Sequence, residues 1–263
     1  MSHHGHGSGL ASASKAHRIL RFVLVGSPNC GKTTLFNALT GLRAKTGNYP
    51  GVTVARYEGR HRVGEADVII EDLPGTYSLE AISPDEEVVS QVLGDGVSVG
   101  SPITGQIVLL DATSLRRSLT LLSHVQQVPR PTLVVLTFTD ELARRGGSID
   151  IKALSRAIGV RVIPIVAGDR AGVEELSEAL SSVDSWPTPI VPPPIGQSDV
   201  FSWSASVLEA ARYRAADTDR RSHGIDRVLL HPVAGTIIFF AIMYATMTIV
   251  IPTISDTSPE TEA

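Results

Sequence analysis

The sequence is organised around one glycine-rich stretch, Gly26-Ser27-Pro28-Asn29-Cys30-Gly31-Lys32-Thr33. It has the form G-x-x-x-x-G-K-[ST], which is typical of loops that hold nucleotide phosphates through backbone N–H groups. Residues 19–25, apolar except for Arg21, predict a buried strand before it, and residues 33–39 predict a helix after it. This order of strand, turn and helix favours a nucleotide site over a chance glycine-rich turn.

The residues of this loop divide the work of binding phosphate. Gly26 and Gly31 let the backbone approach the phosphates closely, and the helix N-terminus adds N–H donors. Lys32 supplies a cation, while the Thr33 hydroxyl can bind a magnesium ion.

Composition limits the class of protein. The chain of 263 residues can hold one α/β nucleotide-binding domain and a smaller part. A net charge of -4 and scattered basic residues do not favour a nucleic-acid partner, and we expect none. The single cysteine, Cys30, excludes an intramolecular disulfide and suits a reducing compartment. A tolerated cysteine at a variable loop position is favoured over a redox role.

The first residues contain no apolar signal-peptide region. Three histidines, His3, His4 and His6, could bind a transition metal weakly. A disordered tail is the favoured interpretation.

A second motif predicts a nucleotide-dependent switch. The loop 41–52 precedes Thr53, a strand pattern returns up to residue 63, and the strand 67–71 ends in Asp72-Leu73-Pro74-Gly75. The Asp72 carboxylate, at a strand end, can hold magnesium through water, and the N–H of Gly75 can sense the terminal phosphate. The position of D-x-x-G after the phosphate loop and Thr53 makes a weak motif strong.

The rest of this region alternates between strands and helices. The patterns predict strands at 106–110, 132–136 and 161–166, and helices at 85–93, 114–127, 149–158 and 173–180. This alternation predicts an α/β fold with a mainly parallel sheet and helices on both faces. Ligands in such folds bind beyond the carboxyl ends of the strands, where these motifs lie.

The C-terminal part has a different character. A proline-rich linker at 186–194 leads to a short helix at 201–216. Residues 233–254 carry no charge and could cross a bilayer core of about 30 Å, in preference to forming a buried soluble helix. The segment is preceded by Arg220, Arg221 and Arg227 and followed by Asp256, Glu260 and Glu262. The positive-inside rule then places the nucleotide domain in the cytoplasm.

Taken in order, GSPNCGKT, GNYPGVTV, DLPGTYSL and TFTD closely resemble the G domain of the bacterial ferrous-iron transport protein B (FeoB) family. DATSLRRSL from Asp111 and IDRVLLHP from Ile225 are similar to that family as well. The resemblance implies a Ras-like P-loop GTPase that binds GTP or GDP with Mg²⁺ and works in ferrous-iron uptake at the cytoplasmic membrane. The implied organisation is a tail at 1–18, a G domain at 19–182, a linker at 183–200, a juxtamembrane region at 201–232, a transmembrane helix at 233–254 and a polar tail at 255–263.

The resemblance also implies a set of site residues. The nucleotide-binding residues would be Gly26, Ser27, Pro28, Asn29, Cys30, Gly31, Lys32, Thr33, Thr34, Gly51, Val52, Thr53, Asp72, Leu73, Pro74, Gly75, Thr137, Asp140, Val166, Ala167 and Gly168. Asn29, Lys32, Thr53 and Gly75 would contribute to catalysis. Thr33, Thr53 and Asp72 would bind Mg²⁺, and Asn29 would help to bind K⁺. Thr76, which follows D-x-x-G, offers no base, so we expect slow hydrolysis.

Base recognition departs from the family pattern. Thr137 replaces the asparagine of N-x-x-D, while Asp140 remains and can accept from guanine N–H groups that adenine lacks. The family's serine-containing loop aligns with residues 166–168, which contain no serine. These changes predict weaker nucleotide binding and lower selectivity between guanine and adenine.

The function predicted from the sequence is a membrane-anchored GTPase that drives or regulates ferrous-iron uptake. One membrane segment cannot form a permeation path, so we expect either a truncated product or separate permease subunits. Two alternatives stay open: a regulatory or scaffold protein with little turnover, and an NTPase that accepts both GTP and ATP. A soluble ribosome-associated GTPase would not explain residues 233–254.

Overall fold

The computed structural model describes residues 19–64, 66–79, 83–98, 100–188, 192–217 and 231–255. The predicted histidine tail, the charges flanking 233–254 and most of the IDRVLLHP motif lie outside these ranges. The chain divides into two compact units between Ala215 and Ala216.

The first unit is built on a seven-stranded sheet in the order β2-β3-β4-β1-β7-β8-β9. The strands are β1 (Ile19–Gly26), β2 (Ala44–Asn48), β3 (Ala55–Val63), β4 (Ala66–Asp72), β7 (Gly105–Asp111), β8 (Thr132–Thr137) and β9 (Arg161–Ile165), with a separate hairpin of β5 (Val97–Ser98) and β6 (Ser101–Pro102). β1 pairs in parallel with β4 and β7, and the parallel order continues through β8 to β9. β2 and β3 pair antiparallel at one edge. The predicted mainly parallel sheet is confirmed.

Helices flank the sheet. They are α1 (Lys32–Thr40), α2 (Pro84–Asp95), α3 (Leu115–Val125), α4 (Thr139–Arg144), α5 (Ile151–Ile158), α6 (Arg170–Ser181) and α7 (Gln197–Ala210). One core cluster joins Phe22 and Leu24 of β1 to Phe36 of α1 and Leu180 of α6. Side chains alternate along a strand, so the buried Val23 faces the opposite side of the sheet. Both faces of the sheet are therefore covered, as the alternating pattern predicts.

Some elements differ from the sequence prediction. β2 occupies residues 44–48, within the predicted loop 41–52. Every residue of β2 is exposed, so pairing with β3 alone defines the strand and no apolar alternation marks it. The six-residue helix α4 was missed because it buries only Leu142. α7 begins at Gln197, before the predicted start at 201.

In the second unit, the structure describes one long helix, α8 (Pro232–Ser255). Large apolar side chains such as Ile237, Phe239 and Ile242 are exposed on it. Within the part of the chain that the structure describes, no helix is both long and apolar enough to cross a membrane. The predicted membrane span at 233–254 stays a prediction.

Candidate functional site

The glycine-rich loop connects β1 to α1 and has an unusual backbone. Asn29 and Gly31 have φ angles of 62° and 89°, in the left-handed region that glycine adopts freely. Gly31 caps α1 without any side-chain acceptor for the helix N–H groups. The first N–H groups of a helix have no partner within the helix, so they are suited to an anion.

Three side chains of the predicted phosphate and magnesium site come together at this loop. Lys32 Nζ lies 3.0 Å from Asp72 Oδ1, and the Thr33 hydroxyl donates to Asp72 Oδ2 over 3.4 Å. Burial raises the pKa of Asp72, while the Lys32 ammonium and the Thr33 hydroxyl oppose this shift. A cation, a hydroxyl and a carboxylate therefore share one corner of the site.

The hydroxyl of Thr33 and the carboxylate of Asp72 fit Mg²⁺. This ion prefers oxygen ligands and usually takes one or two from protein, with water and substrate phosphates completing its shell. Among the residues that the structure describes, no group of three or more His, Cys, Asp or Glu side chains could hold a metal ion. The oxygens present match a metal shared with a nucleotide rather than a cage formed by protein alone.

The D-x-x-G segment lies directly against the phosphate loop. The N–H of Leu73 donates to the Leu24 carbonyl, and the N–H of Thr76 donates to the Gly26 carbonyl, each over 3.2 Å. A Cβ atom on Gly75 would lie 3.1 Å from the backbone N and Cα of Pro28. Any larger residue would crowd the loop here, so glycine suits this close approach, which brings the predicted phosphate-sensing N–H to the loop.

Thr76 is fully engaged by its neighbours. Its side chain is buried, and its hydroxyl contacts the carbonyl of Ser78 and, over 3.3 Å, Oε1 of Glu86. Glu86 also caps the start of α2 together with Ser83. The position that follows D-x-x-G thus contributes to local structure and provides no base.

A cavity of about 100 Å³ lies beside the loop. It is lined by Gly31, Thr34, Leu35, Ala38, Thr137, Phe138, Ile165, Val166, Ala167, Gly168 and Val173. The structure therefore brings four residues of the predicted base region, Thr137, Val166, Ala167 and Gly168, together with Gly31 and Thr34 from the phosphate loop and the start of α1. Phe138, which is not among the predicted site residues, has a φ of 58° and also lines this cavity.

The Thr137 hydroxyl binds backbone carbonyls, one of them in the phosphate loop, and is not free to donate into the cavity. This buried hydroxyl contacts the Cys30 carbonyl over 2.9 Å and the Leu110 carbonyl over 3.2 Å. Asp140 lies outside the cavity lining, in the first turn of α4, and its Oδ2 is 4.0 Å from Arg144. The two residues of the predicted base motif therefore occupy different environments.

The segment around Thr53 is an exposed turn. The N–H of Tyr49 donates to the Val54 carbonyl over 3.1 Å, which closes the turn around Gly51 and Val52. No hydrogen bond among the described residues joins Thr53 to Thr33 or Asp72. The predicted magnesium ligands are thus only partly assembled.

Cys30 is buried beneath the loop. Burial raises the pKa of its thiol to about 11, and a protonated thiol is a poor nucleophile at neutral pH. The interpretation of Cys30 as a tolerated loop residue fits this environment better than a redox role.

Comparisons with known proteins agree with this geometry. The family model "Ferrous iron transport protein B" matches residues 20–180. The Fe(2+) transporter FeoB of Leptospira biflexa is 41% identical over 163 residues, which are 62% of this chain and 23% of that protein. The Fe(2+) transporter FeoB of Legionella pneumophila strain Lens is 42% identical over 162 residues, 60% of this chain and 21% of that protein. The chain thus spans about a fifth to a quarter of the length of these relatives.

Solved structures are similar too. The apo cytosolic domain of T. maritima FeoB has a TM-score of 0.61 at 31% identity, covering 69% of this chain and 70% of that one. The GMPPNP form of the same domain has a TM-score of 0.61 at 29% identity, covering 82% and 84%. The cytosolic domain of L. pneumophila FeoB has a TM-score of 0.60 at 37% identity, covering 68% of each chain. The chain belongs to the ferrous iron transport protein B family.

Proposed function

We propose that the first unit of this chain binds GTP and hydrolyses it slowly to GDP and phosphate, in the service of ferrous-iron uptake. The observation that carries the proposal is the cluster of Lys32, Thr33 and Asp72 at the phosphate loop. FeoB structures with GDP and GMPPNP support the choice of nucleotide.

Phosphate binding uses the loop backbone and one cation. N–H groups of the loop, other than Pro28 which has none, and those of the α1 N-terminus donate to phosphate oxygens, and Lys32 balances the phosphate charge. Thr33 and Asp72 would hold Mg²⁺, and Thr53 would supply a further oxygen from its exposed turn. When bound, Mg²⁺ neutralises charge on the phosphate oxygens.

Hydrolysis transfers the terminal phosphoryl group to water. Water attacks the γ-phosphorus, and the bond to the oxygen that bridges the β- and γ-phosphates breaks, leaving GDP as product. Gly75 donates its N–H at the terminal phosphate from its position against Pro28. Because the Thr76 hydroxyl is engaged by Ser78 and Glu86, no side chain at that position orients the water, and turnover is slow.

Asn29 is the residue that would bind a potassium ion. Its side chain is exposed on the loop, and its left-handed backbone conformation suits asparagine. An amide oxygen there would hold K⁺ beside the phosphates, and the positive charge of the ion would stabilise the transition state.

A second candidate is an NTPase of relaxed specificity. The Thr137 hydroxyl is used on the Cys30 and Leu110 carbonyls, so it has no proton left for a base. Discrimination between guanine and adenine then depends on Asp140 alone. Adenine lacks the N–H groups that this carboxylate accepts from, so bound adenine would leave the carboxylate unpaired. Loss of turnover altogether would instead make the chain a nucleotide-binding regulator.

We further propose that the chain acts in iron uptake and is attached to the cytoplasmic membrane. The matched relatives are named as Fe(2+) transporters, and this chain corresponds to a minor part of their length. Residues 233–254 carry no charge, and α8 exposes apolar side chains, which supports anchoring at the cytoplasmic membrane. The G domain would lie on the cytoplasmic side and act on permease subunits or other uptake components.

Phosphate release by the full chain with GTP and Mg²⁺ tests the enzymatic part. The proposal expects slow turnover that exceeds the rate with ATP. Equal rates would favour relaxed specificity, and nucleotide binding without phosphate release would favour the regulator.

A further inference from the structure

Glu71 is a buried carboxylate next to the magnesium site. It is the residue before Asp72 on β4, and its exposed fraction is 0%. In the sheet it lies opposite Val23 of β1 and opposite Glu58 of β3. A buried charge is costly, and two carboxylates opposite each other repel. The Glu71 carboxylate therefore needs positive charges and hydrogen-bond donors around it.

Compensation comes from two arginines. Arg21 Nη1 lies 3.2 Å from Glu71 Oε2 and 3.1 Å from Glu58 Oε2. Arg56 Nε lies 3.3 Å from Glu71 Oε1, and its guanidinium also contacts Glu58. The paired carboxylates and guanidinium groups form a compact ionic cluster within the sheet.

Two hydroxyls complete the shell of Glu71. The Tyr49 hydroxyl donates to Oε1 over 2.8 Å, and the Ser98 hydroxyl lies 2.6 Å and 2.7 Å from the two carboxylate oxygens. Burial and the neighbouring Glu71 carboxylate raise the pKa of Tyr49, so its hydroxyl stays protonated and donates. Tyr49 itself is only 5% exposed.

Tyr49 begins the turn that carries Thr53. Its N–H donates to the Val54 carbonyl over 3.1 Å, and its carbonyl accepts from the Val52 N–H over 3.3 Å. The backbone of Tyr49 therefore closes the turn, while its side chain fastens the turn to the residue before Asp72. The hydrogen bond between Tyr49 and Glu71 thus links the two segments directly, in addition to the pairing of β3 with β4.

We propose that Tyr49 and Glu71 are positioning residues that hold the Thr53 turn in place relative to Asp72, and that they thereby favour the triphosphate over the diphosphate. The inference rests on the proposed function of Thr53 as a magnesium ligand in the GTP state. It concerns a contact between a buried carboxylate and a buried tyrosine, neither of which touches the nucleotide in that proposal.

The test compares two nucleotides on matched variants of the full chain. Affinities for a non-hydrolysable GTP analogue and for GDP are measured with Mg²⁺ for the unchanged protein, Tyr49→Phe, Glu71→Gln and Thr53→Ala. Tyr213→Phe is the control, because it also loses a hydroxyl hydrogen bond, the 2.9 Å contact with the Ala112 carbonyl. Thermal melting of each variant reports folding.

Tyr49→Phe keeps the buried ring and should weaken the GTP analogue about tenfold while GDP affinity stays within about twofold. Glu71→Gln should shift the same ratio in the same direction, and Tyr213→Phe should leave it unchanged. A purely structural role would lower melting temperature and weaken both nucleotides equally, which would overturn the inference.

Thr53→Ala separates this inference from the proposed function. If Thr53→Ala weakens the analogue and Tyr49→Phe does not, the positioning role is wrong and the function of Thr53 stands. If Thr53→Ala leaves the analogue unaffected, the proposed function of Thr53 is wrong and the inference fails with it.

Discussion

The ammonium of Lys32 lies 3.0 Å from the carboxylate of Asp72. The two residues belong to different motifs, and the sheet brings them together. β1 and β4 pair in parallel with Leu24 opposite Asp72, so Asp72 ends its strand at the level of the loop that follows Gly26. The phosphate loop and the D-x-x-G segment therefore meet at the carboxyl ends of β1 and β4, and α/β folds bind ligands beyond these ends of their strands.

Gly75→Ala should disturb the contact between the switch and the loop. The new Cβ would lie 3.1 Å from the Pro28 backbone, which is too close for ordinary packing. We expect a loss of about 1–3 kcal/mol in the free energy of unfolding and slower GTP turnover. Urea unfolding and phosphate release measure the two effects.

Gly94→Ala is the control for this change. Gly94 lies within α2, and a Cβ there meets nothing within 4 Å. Alanine in place of this glycine in the last turn of α2 should leave the stability unchanged or raise it, by at most about 1 kcal/mol. Equal behaviour of the two variants would contradict the proposed packing of Gly75 on the loop.

Thr137→Asn should increase selectivity for GTP over ATP by about tenfold. Asparagine has two N–H donors and a carbonyl, whereas the single Thr137 hydroxyl is used on the Cys30 and Leu110 carbonyls. Competition of GTP and ATP against a fluorescent GDP analogue measures the ratio. Thr137→Val, which adds no donor, should show no gain, and an unchanged ratio in folded Thr137→Asn would refute this account of base recognition.

Potassium should accelerate GTP hydrolysis relative to sodium. Asn29→Gly removes the amide while keeping the backbone φ of 62° accessible. The variant should lose the difference between the two ions, as measured by phosphate release in matched KCl and NaCl. A rate for the unchanged protein that is the same in both salts would contradict the role of Asn29.

His61 should make stability depend on pH. Burial lowers its pKa below the ordinary 6.5, and its Nε2 contacts the Ser177 hydroxyl over 2.7 Å. Below that ordinary value the unfolded chain binds more protons than the folded one, so the free energy of unfolding decreases as pH falls. Urea unfolding between neutral pH and about pH 5 should show this slope, and His61→Gln should flatten it. An identical slope in the variant would assign the effect elsewhere.

Much of the fold follows from local patterns in the sequence. The mainly apolar run at residues 19–25 predicts β1. This prediction works because every residue of β1 except the first is buried, and burial favours apolar side chains. The edge strand β2 escapes the same reasoning, since it buries nothing and exists only through pairing with β3. Periodicity reports burial, and so it misses elements that hydrogen bonding alone defines.

The candidate site was predictable to a similar degree. Lys32, Thr33 and Asp72 meet as the motifs indicate, because strand order fixes their positions. The partners of Glu71 were not predictable, since Tyr49 and Ser98 reach it only through the tertiary fold. The one sign in the sequence was a glutamate directly after the apolar run at residues 68–70 of β4.

The binding of a fluorescent GDP analogue to Lys32→Ala tests the central claim most directly. Lys152→Ala, which removes an exposed lysine of α5, serves as the control, and thermal melting confirms that both variants fold. The account predicts that Lys32→Ala abolishes binding and that Lys152→Ala binds like the unchanged protein. Undiminished binding by folded Lys32→Ala would contradict the assignment of the site.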